Sequence, residues 1–149
     1  MVERVCAMHA QLDPAKYGFL PNPSGRYERW LGARAQDAHS VFLVAEREAA
    51  KGEAGGLAGF VVATVEEEIP IYRLKAYGFI HDLWVEPESR HQGIGRRLVV
   101  GAVERLKQMG VEQVRCDTAA ANESARRLFE ACGFRASVVE MLREMGDGE

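Results

Sequence analysis

The segment Trp84-Val85-Glu86-Pro87-Glu88-Ser89-Arg90-His91-Gln92-Gly93-Ile94-Gly95-Arg96-Arg97-Leu98 restricts what this chain can be more than any other. A β-branched and aromatic run stops at Pro87, a short polar loop follows, and Gly93 and Gly95 open a long amphipathic helix. The first N–H groups of a helix lack intrahelical partners, and the helix dipole adds positive potential at the same end. A strand that passes through a glycine turn into such a helix is a receptor for phosphate. Glycine carries no Cβ, so the main chain can approach the anion closely. Arg90, Arg96 and Arg97 add cationic side chains around that point. Arginines also decorate ordinary solvated faces, but their coincidence with the glycines favours a ligand.

Around that loop the hydrophobic periodicity divides the chain into short elements. Val2, Val5, Cys6, His9 and Leu12 recur at helical spacing, and Asp13-Pro14 ends that helix. Residues 17–25, with Pro21, Asn22, Pro23 and Gly25, read as an irregular loop. Tyr27, Trp30, Leu31 and Ala35 mark a second, shorter helix. Residues 41–46 and 57–67 read as strands, with Gly59 a bulge position and a loose hairpin turn over 51–56. A third strand over 77–85 leads into the glycine loop.

Leu98, Ala102, Leu106 and Met109 form the apolar stripe of the helix that Gly95 opens, and Gly110 stands where a left-handed cap belongs. Residues 111–117 then lie parallel to the third strand across this crossover helix. Asn122 caps a last helix whose buried face is Ala125, Leu128, Phe129 and Cys132, closed by Gly133-Phe134. Residues 135–145 are a final extended segment. The order α-α-β-β-β-α-β-α-β implies one α/β domain over 1–149, a mixed sheet with helices on both faces.

Length and charge narrow the function. A chain of 149 residues is large enough to bury a core as one domain. The formal net charge of −3 argues against a dedicated nucleic-acid binder, so a local basic cluster points to one small polyanion. Cys6, Cys116 and Cys132 lack metal-ligand spacing and sit in apolar patterns, which predicts reduced, buried thiols and no metal. No apolar run approaches the roughly 18 residues of a membrane span, and no secretory signal opens the chain. The expectation is a cytoplasmic protein without membrane or nucleic-acid partners.

The motifs resemble those of the GCN5-related N-acetyltransferase superfamily. Its signature [Arg/Gln]-x-x-Gly-x-[Gly/Ala] is met by Arg90-His91-Gln92-Gly93-Ile94-Gly95, preceded by the usual Leu-x-Val-x-Pro as Leu83-Trp84-Val85-Glu86-Pro87. Residues 122–134 are similar to the family's Asn-x-x-Ala-x-x-Leu-Tyr-x-x-x-Gly-Phe block, through Asn122, Ala125, Leu128, Phe129, Gly133 and Phe134. The resemblance is close from about Ile80 to Phe134 and schematic before that.

It implies a three-layer fold with a mostly antiparallel mixed sheet that splays between two parallel strands. It also implies acetyl-coenzyme A as co-substrate, with no metal. The pyrophosphate would rest on N–H groups from Gln92 through Arg96, with Arg90 and His91 in the same loop. The pantetheine arm would pair with the backbone of Leu83, Trp84 and Val85. Asn122 and Arg126 would lie along the ligand and Phe129 near its sulfur. Two departures stand out. The family's usual strand before the first helix is missing, so either the chain is short or its start is assigned late. Phe129 also occupies a position where many relatives carry a tyrosine thought to protonate the leaving thiolate.

The implied reaction is direct attack of a neutral primary amine on the thioester. An alkyl ammonium has a pKa near 10, so a base or water relay must remove its proton. His81 and Asp82 are the base candidates. Adjacent strand residues point to opposite faces, so at most one of them should face the acceptor. A backbone N–H, of Leu83 or Val85, would hold the oxyanion. His91 is explained by loop exposure without catalysis, and Glu66-Glu67-Glu68 reads as a solvated charge run. Tyr17, Phe19, Tyr27 and Trp30 are candidates for the wall of an acceptor pocket, which could take a small-molecule or peptide amine. A homodimer is a further expectation, because relatives are often dimeric.

The competing reading, motivated by Phe129, is a non-catalytic or weakly catalytic acyl-coenzyme A sensor. A dinucleotide fingerprint is rejected because Leu98 stands where its third glycine belongs. A Walker loop is rejected because no Gly-Lys-[Ser/Thr] occurs.

Overall fold

The structure is a computed structural model that describes residues 1–48 and 55–146, so the turn expected over 51–56 lies largely outside the described residues. Its elements run α1 (Val2–Leu12), α2 (Pro23–Ala35), β1 (Ser40–Glu46), β2 (Leu57–Glu67), β3 (Ala76–Val85), α3 (Ile94–Gln108), β4 (Val114–Cys116) and α4 (Glu123–Ala131), with a 3-10 turn at Pro87–Ser89. The sheet order is β1-β2-β3-β4. The first three strands form an antiparallel meander, and β4 joins β3 in parallel after the α3 crossover.

Helices cover both faces, as the alternation along the strands requires. On one face Val61, Ala63 and Ile80 pack against Leu98, Val99, Ala102 and Leu106 of α3 and Phe129 of α4. On the other, Phe60, Val62 and Trp84 pack against Val5 of α1 and Tyr27, Trp30 and Leu31 of α2. Val61, Val99 and Leu106 are fully buried, so β2 and α3 are the centre of the molecule. No helix among the described residues is long and apolar enough to cross a membrane.

Three expectations are corrected. The second helix is longer than the first, because residues 23–25 belong to it rather than to the loop. Asn22, at φ 57°, caps it by accepting the Gly25 N–H at 3.0 Å, and Pro23 occupies the first turn, where its missing N–H costs nothing. The expected strand over 111–117 is confined to Val114–Cys116. Residues 135–145 pair with no strand among the described residues; Val138, Val139, Met141 and Met145 lie in solvent, so their apolar character reflects no burial against the described sheet.

Gly59 is flanked by the expected irregularity. Ala45 pairs with Gly59 and Glu46 with Leu57, which leaves Ala58 as the extra residue of a bulge. A second bulge, not foreseen, interrupts β3. Val62 pairs with Asp82 and Ala63 with Ile80, so His81 is inserted.

Candidate active site

The glycine loop forms as its sequence requires. Gly93, at φ 76°, is the N-cap of α3 and makes no side-chain cap, while His91 stands at φ 61°. Arg97 N–H is the first to bond back into the helix, to the Gly93 carbonyl at 3.1 Å. The N–H groups of Gln92, Gly93, Ile94, Gly95 and Arg96 donate no hydrogen bond among the described residues. A Cβ on Gly95 would stand 3.0 Å from Leu128 Cδ2, so this glycine lets α4 close against the start of α3. The nearby carboxylate of Glu88 is paired with Arg47. Unpaired amides at a helix N-terminus, exposed and without a free carboxylate among them, fit a diphosphate.

The arginines divide their roles. Arg90 Nε donates to the Val85 carbonyl at 3.0 Å, and its guanidinium lies 4.9 Å from the Trp84 ring centre, which ties the loop to the end of β3. Arg96 and Arg97 are exposed and form no ion pair among the described residues. Arg126 is exposed on α4, and Arg127 is paired with Glu123 at 3.1 Å. Asn122 caps α4, accepting the Ala125 N–H at 3.1 Å.

Beside the loop, β3 has an open edge. Pairing with β4 ends at Ile80–Cys116, while β3 continues to Val85. Gly78 N–H faces β4, bonding the Gln113 carbonyl at 2.8 Å, and Glu86 N–H faces β2, bonding Ala58 at 2.8 Å. Alternation back from Glu86 turns the main chains of Leu83 and Val85 toward the side that β4 has left. The bulge at His81 makes the two parities compatible. Divergence of β3 and β4 thus exposes main-chain groups of the two residues named from sequence.

The same bulge overturns the expectation that His81 and Asp82 point to opposite faces, because the inserted residue resets the alternation. Both side chains meet α2. Asp82 Oδ2 accepts the Tyr27 hydroxyl at 2.6 Å. The His81 ring lies edge-on to Trp30, with centroids 5.4 Å apart. Its Nε2 is 2.6 Å from Thr64 Oγ1 and 3.6 Å from Glu66 Oε1, and the Thr64 hydroxyl donates to that carboxylate. Burial lowers the His81 pKa, against the opposing pull of Glu66 and Asp82. Burial together with the Asp82 charge holds the Tyr27 hydroxyl far above its ordinary pKa, so it remains a donor. Glu66 is therefore not merely solvated, and Glu68 pairs with Arg115 at 2.7 Å.

Asp82 opens into a cavity of about 410 Å³ between α1, α2 and the sheet, within the usual range for small-molecule sites. Phe19, Tyr27 and Trp30 line it as their sequence positions suggested, together with Cys6 and His9, which did not announce themselves. Tyr17 is outside the lining and stacks on His9, with centroids 4.8 Å apart. His81 is also outside it, behind Trp30.

Phe129 is buried in the core, edge-on to Phe134 at 5.2 Å between centroids. The three cysteines are free but half-buried rather than fully buried, and burial pushes the Cys116 thiol up to about 11. Among the described residues, no group of three or more His, Cys, Asp or Glu could hold a metal ion.

A family model described as the acetyltransferase (GNAT) family matches residues 6–134. A mycothiol acetyltransferase from Thermobispora bispora is 32% identical over 106 residues, covering 68% of this chain and 32% of that protein. The chain thus spans about a third of the length of the mycothiol acetyltransferase it matches. Among solved structures, a tetramutant of the BH1408 protein from Bacillus halodurans superposes with a TM-score of 0.78 at 22% identity, over 96% of this chain and 88% of that one. The aminoglycoside N-acetyltransferase AAC(6')-Iy, solved with a bisubstrate analog containing CoA, gives a TM-score of 0.69 at 19% identity, over 96% and 90%. At those identities the two structures establish a shared fold.

Proposed function

Because the chain belongs to the acetyltransferase (GNAT) family, we propose that it transfers an acetyl group from acetyl-coenzyme A to a primary amine by direct attack. The observation that carries this reading is a juxtaposition. Unpaired amides at the start of α3 adjoin the open edge of β3, and a carboxylate-bearing cavity lies under the same strand. Acetyl-coenzyme A, bound as co-substrate, supplies an activated acetyl thioester. The Gln92–Arg96 amides would hold its diphosphate, and the edge at Leu83–Val85 would pair with its arm. Asn122 and Arg126, on the α4 side, would stand along the same path. A main-chain N–H of Leu83 or Val85, fixed before reaction, would hold the carbonyl oxygen as it gains charge.

Two successive residues of β3 would divide the work on the amine. Asp82, in the cavity wall, would draw in the ammonium. His81, outside the cavity lining and beside Trp30, would take its proton only through a water relay. With Nε2–H donated to Thr64, whose hydroxyl is donated to Glu66, the lone pair sits on Nδ1. Burial keeps that imidazole neutral. Since the His81 pKa is lowered, kcat/KM should fall as pH drops through a limb centred below 6.5, the ordinary histidine value. His81→Gln should remove that limb and lower kcat about 100-fold. A pH–rate profile of both proteins checks this; an unchanged limb in the variant would transfer the role to another group.

The thiol can leave without a protein acid. A thiol pKa of about 8.5 lies about 1.5 units above neutral pH, so departure as thiolate costs only about 2 kcal/mol. Phe129→Tyr is therefore expected to speed thiol release by no more than about 30-fold. A phenol that fails to accelerate release would show that the missing acid does not limit the rate. Phe129 is also the reason to keep the sensor reading. Thiol release measured with a panel of amines, alongside calorimetry with coenzyme A, separates the two. Tight binding without amine-dependent turnover would favour the sensor, and no binding at all would sink both.

A further inference from the structure

The cavity under β3 has a chemistry of its own. Its walls are aromatic and aliphatic: Tyr27, Trp30 and Phe60 meet with ring centroids 5.5 and 6.4 Å from Tyr27, and Val2 and Val5 face them from α1. Its lip is apolar as well, with Phe19 46% and Leu20 65% exposed, surface that an apolar guest would cover. Among the described residues, Asp82 is the single carboxylate in the lining. One of its oxygens is engaged by Tyr27, while Oδ1 makes no hydrogen bond among the described residues. Among the described residues Arg26 is the only cation in the lining, at the exposed end, with its Nε tied to the Pro21 carbonyl at 3.0 Å. Burial lowers the His9 pKa, so that ring adds no charge at neutral pH.

We propose that this cavity takes a primary monoamine with an arylalkyl or similarly compact hydrocarbon body, its ammonium on Asp82 Oδ1 and its ring packed against the wall of Tyr27, Trp30 and Phe60. As an acceptor class this rests on the acetyl-transfer reading; as a ligand class it stands on the cavity alone. One carboxylate satisfies one ammonium, and Arg26 repels a second. Beyond Asp82 and the Tyr27 hydroxyl it holds, the walls offer only His9, the Cys6 thiol, the Trp30 ring N–H and Arg26 at the exposed end; they would strip water from more hydroxyls of an aminocyclitol than they can satisfy, a penalty that largely apolar sites impose on polar guests. Flat rings suit the aromatic walls.

The test uses 2-phenylethylamine, its neutral isostere 2-phenylethanol, spermidine and kanamycin, with thiol release and calorimetry as separate readouts. Wild-type kcat/KM for 2-phenylethylamine should exceed that for either polycation by about 100-fold, the discrimination an apolar pocket exerts against an added polar group. Asp82→Asn keeps an acceptor for Tyr27 and so preserves the wall. It should weaken 2-phenylethylamine roughly 10- to 100-fold, as for loss of a charged hydrogen bond, and leave 2-phenylethanol and coenzyme A binding unchanged. Preference for spermidine or kanamycin would overturn the proposal and leave acetyl transfer standing. So would 2-phenylethylamine binding that is absent or indifferent to Asp82→Asn. Asp82-dependent binding without any thiol release would uphold the ligand class and sink the acetyl-transfer reading.

Discussion

Replacing Gly93 with aspartate is expected to raise the dissociation constant for coenzyme A at least 100-fold, or about 2.8 kcal/mol, while the protein stays folded. Gly93 is the N-cap of α3 and stands at φ 76°, a region aspartate tolerates better than most residues. A carboxylate there also meets the positive end of the helix dipole, worth roughly 0.3–1 kcal/mol to the helix, which offsets much of the backbone strain. Binding has no such compensation. The new charge would stand among the unpaired amides of Gln92–Arg96, where the diphosphate would rest. Two like charges about 5 Å apart repel by about 3 kcal/mol at an effective dielectric of 20. Gly93→Asn has the same shape without the charge and should lose only about 10-fold. Calorimetry with both variants, and circular dichroism to confirm the fold, checks the argument. Equal losses would assign the effect to shape, and no loss with aspartate would mean that no anion binds at this helix end.

The glycine loop was legible because everything it needs is local. A strand stopping before Pro87, the glycines at 93 and 95 and the Leu98–Ala102–Leu106 stripe all lie within one stretch of chain, whereas Met109, expected to continue that stripe, is exposed. The caps at Asn122, Gly110 and Gly133 were readable for the same reason. The start of α2 was missed because Asn22-Pro23 carries two opposite meanings, a turn or a cap followed by a first-turn proline, and only packing of Tyr27 and Trp30 on the sheet selects the second. His81 and Asp82 were named, but their orientation was not legible. It depends on a bulge, which is a property of the register between β2 and β3 rather than of either strand. The contact from Thr64 and Glu66 to His81 has the same origin, since it joins neighbours across two strands. Residues 135–145 show the converse: apolar content implied a strand, but a strand also requires an edge to pair with.

Gly59→Ala should be the most damaging glycine-to-alanine change among the described residues. A Cβ there would stand 2.5 Å from the Trp84 carbonyl oxygen and 3.3 Å from Val85 Cα. Neither atom is the tip of a flexible side chain, so the overlap is relieved only by pushing β3 away from β2. The Trp84 oxygen is one that strand alternation turns toward β2, and its displacement strains the ladder at Phe60–Trp84. Overpacking against main chain costs about 3 kcal/mol, which for a chain of this size lowers Tm by roughly 6–12 °C. The displaced segment is also the Leu83–Val85 edge proposed to pair with the coenzyme, so coenzyme A affinity should fall at temperatures where the variant is still folded. Gly101→Ala is the matched control. Its Cβ would press only on Leu43 Cδ1, at 3.1 Å, a methyl that can turn aside. Alanine gains up to about 1 kcal/mol over glycine inside a helix, so Tm should hold or rise with binding unchanged. Calorimetric melting of both variants decides the matter. Equal losses would mean that glycine at position 59 reflects general crowding around the sheet, whereas loss confined to Gly59→Ala would mean that the close approach of β2 is what holds the open edge of β3 in place.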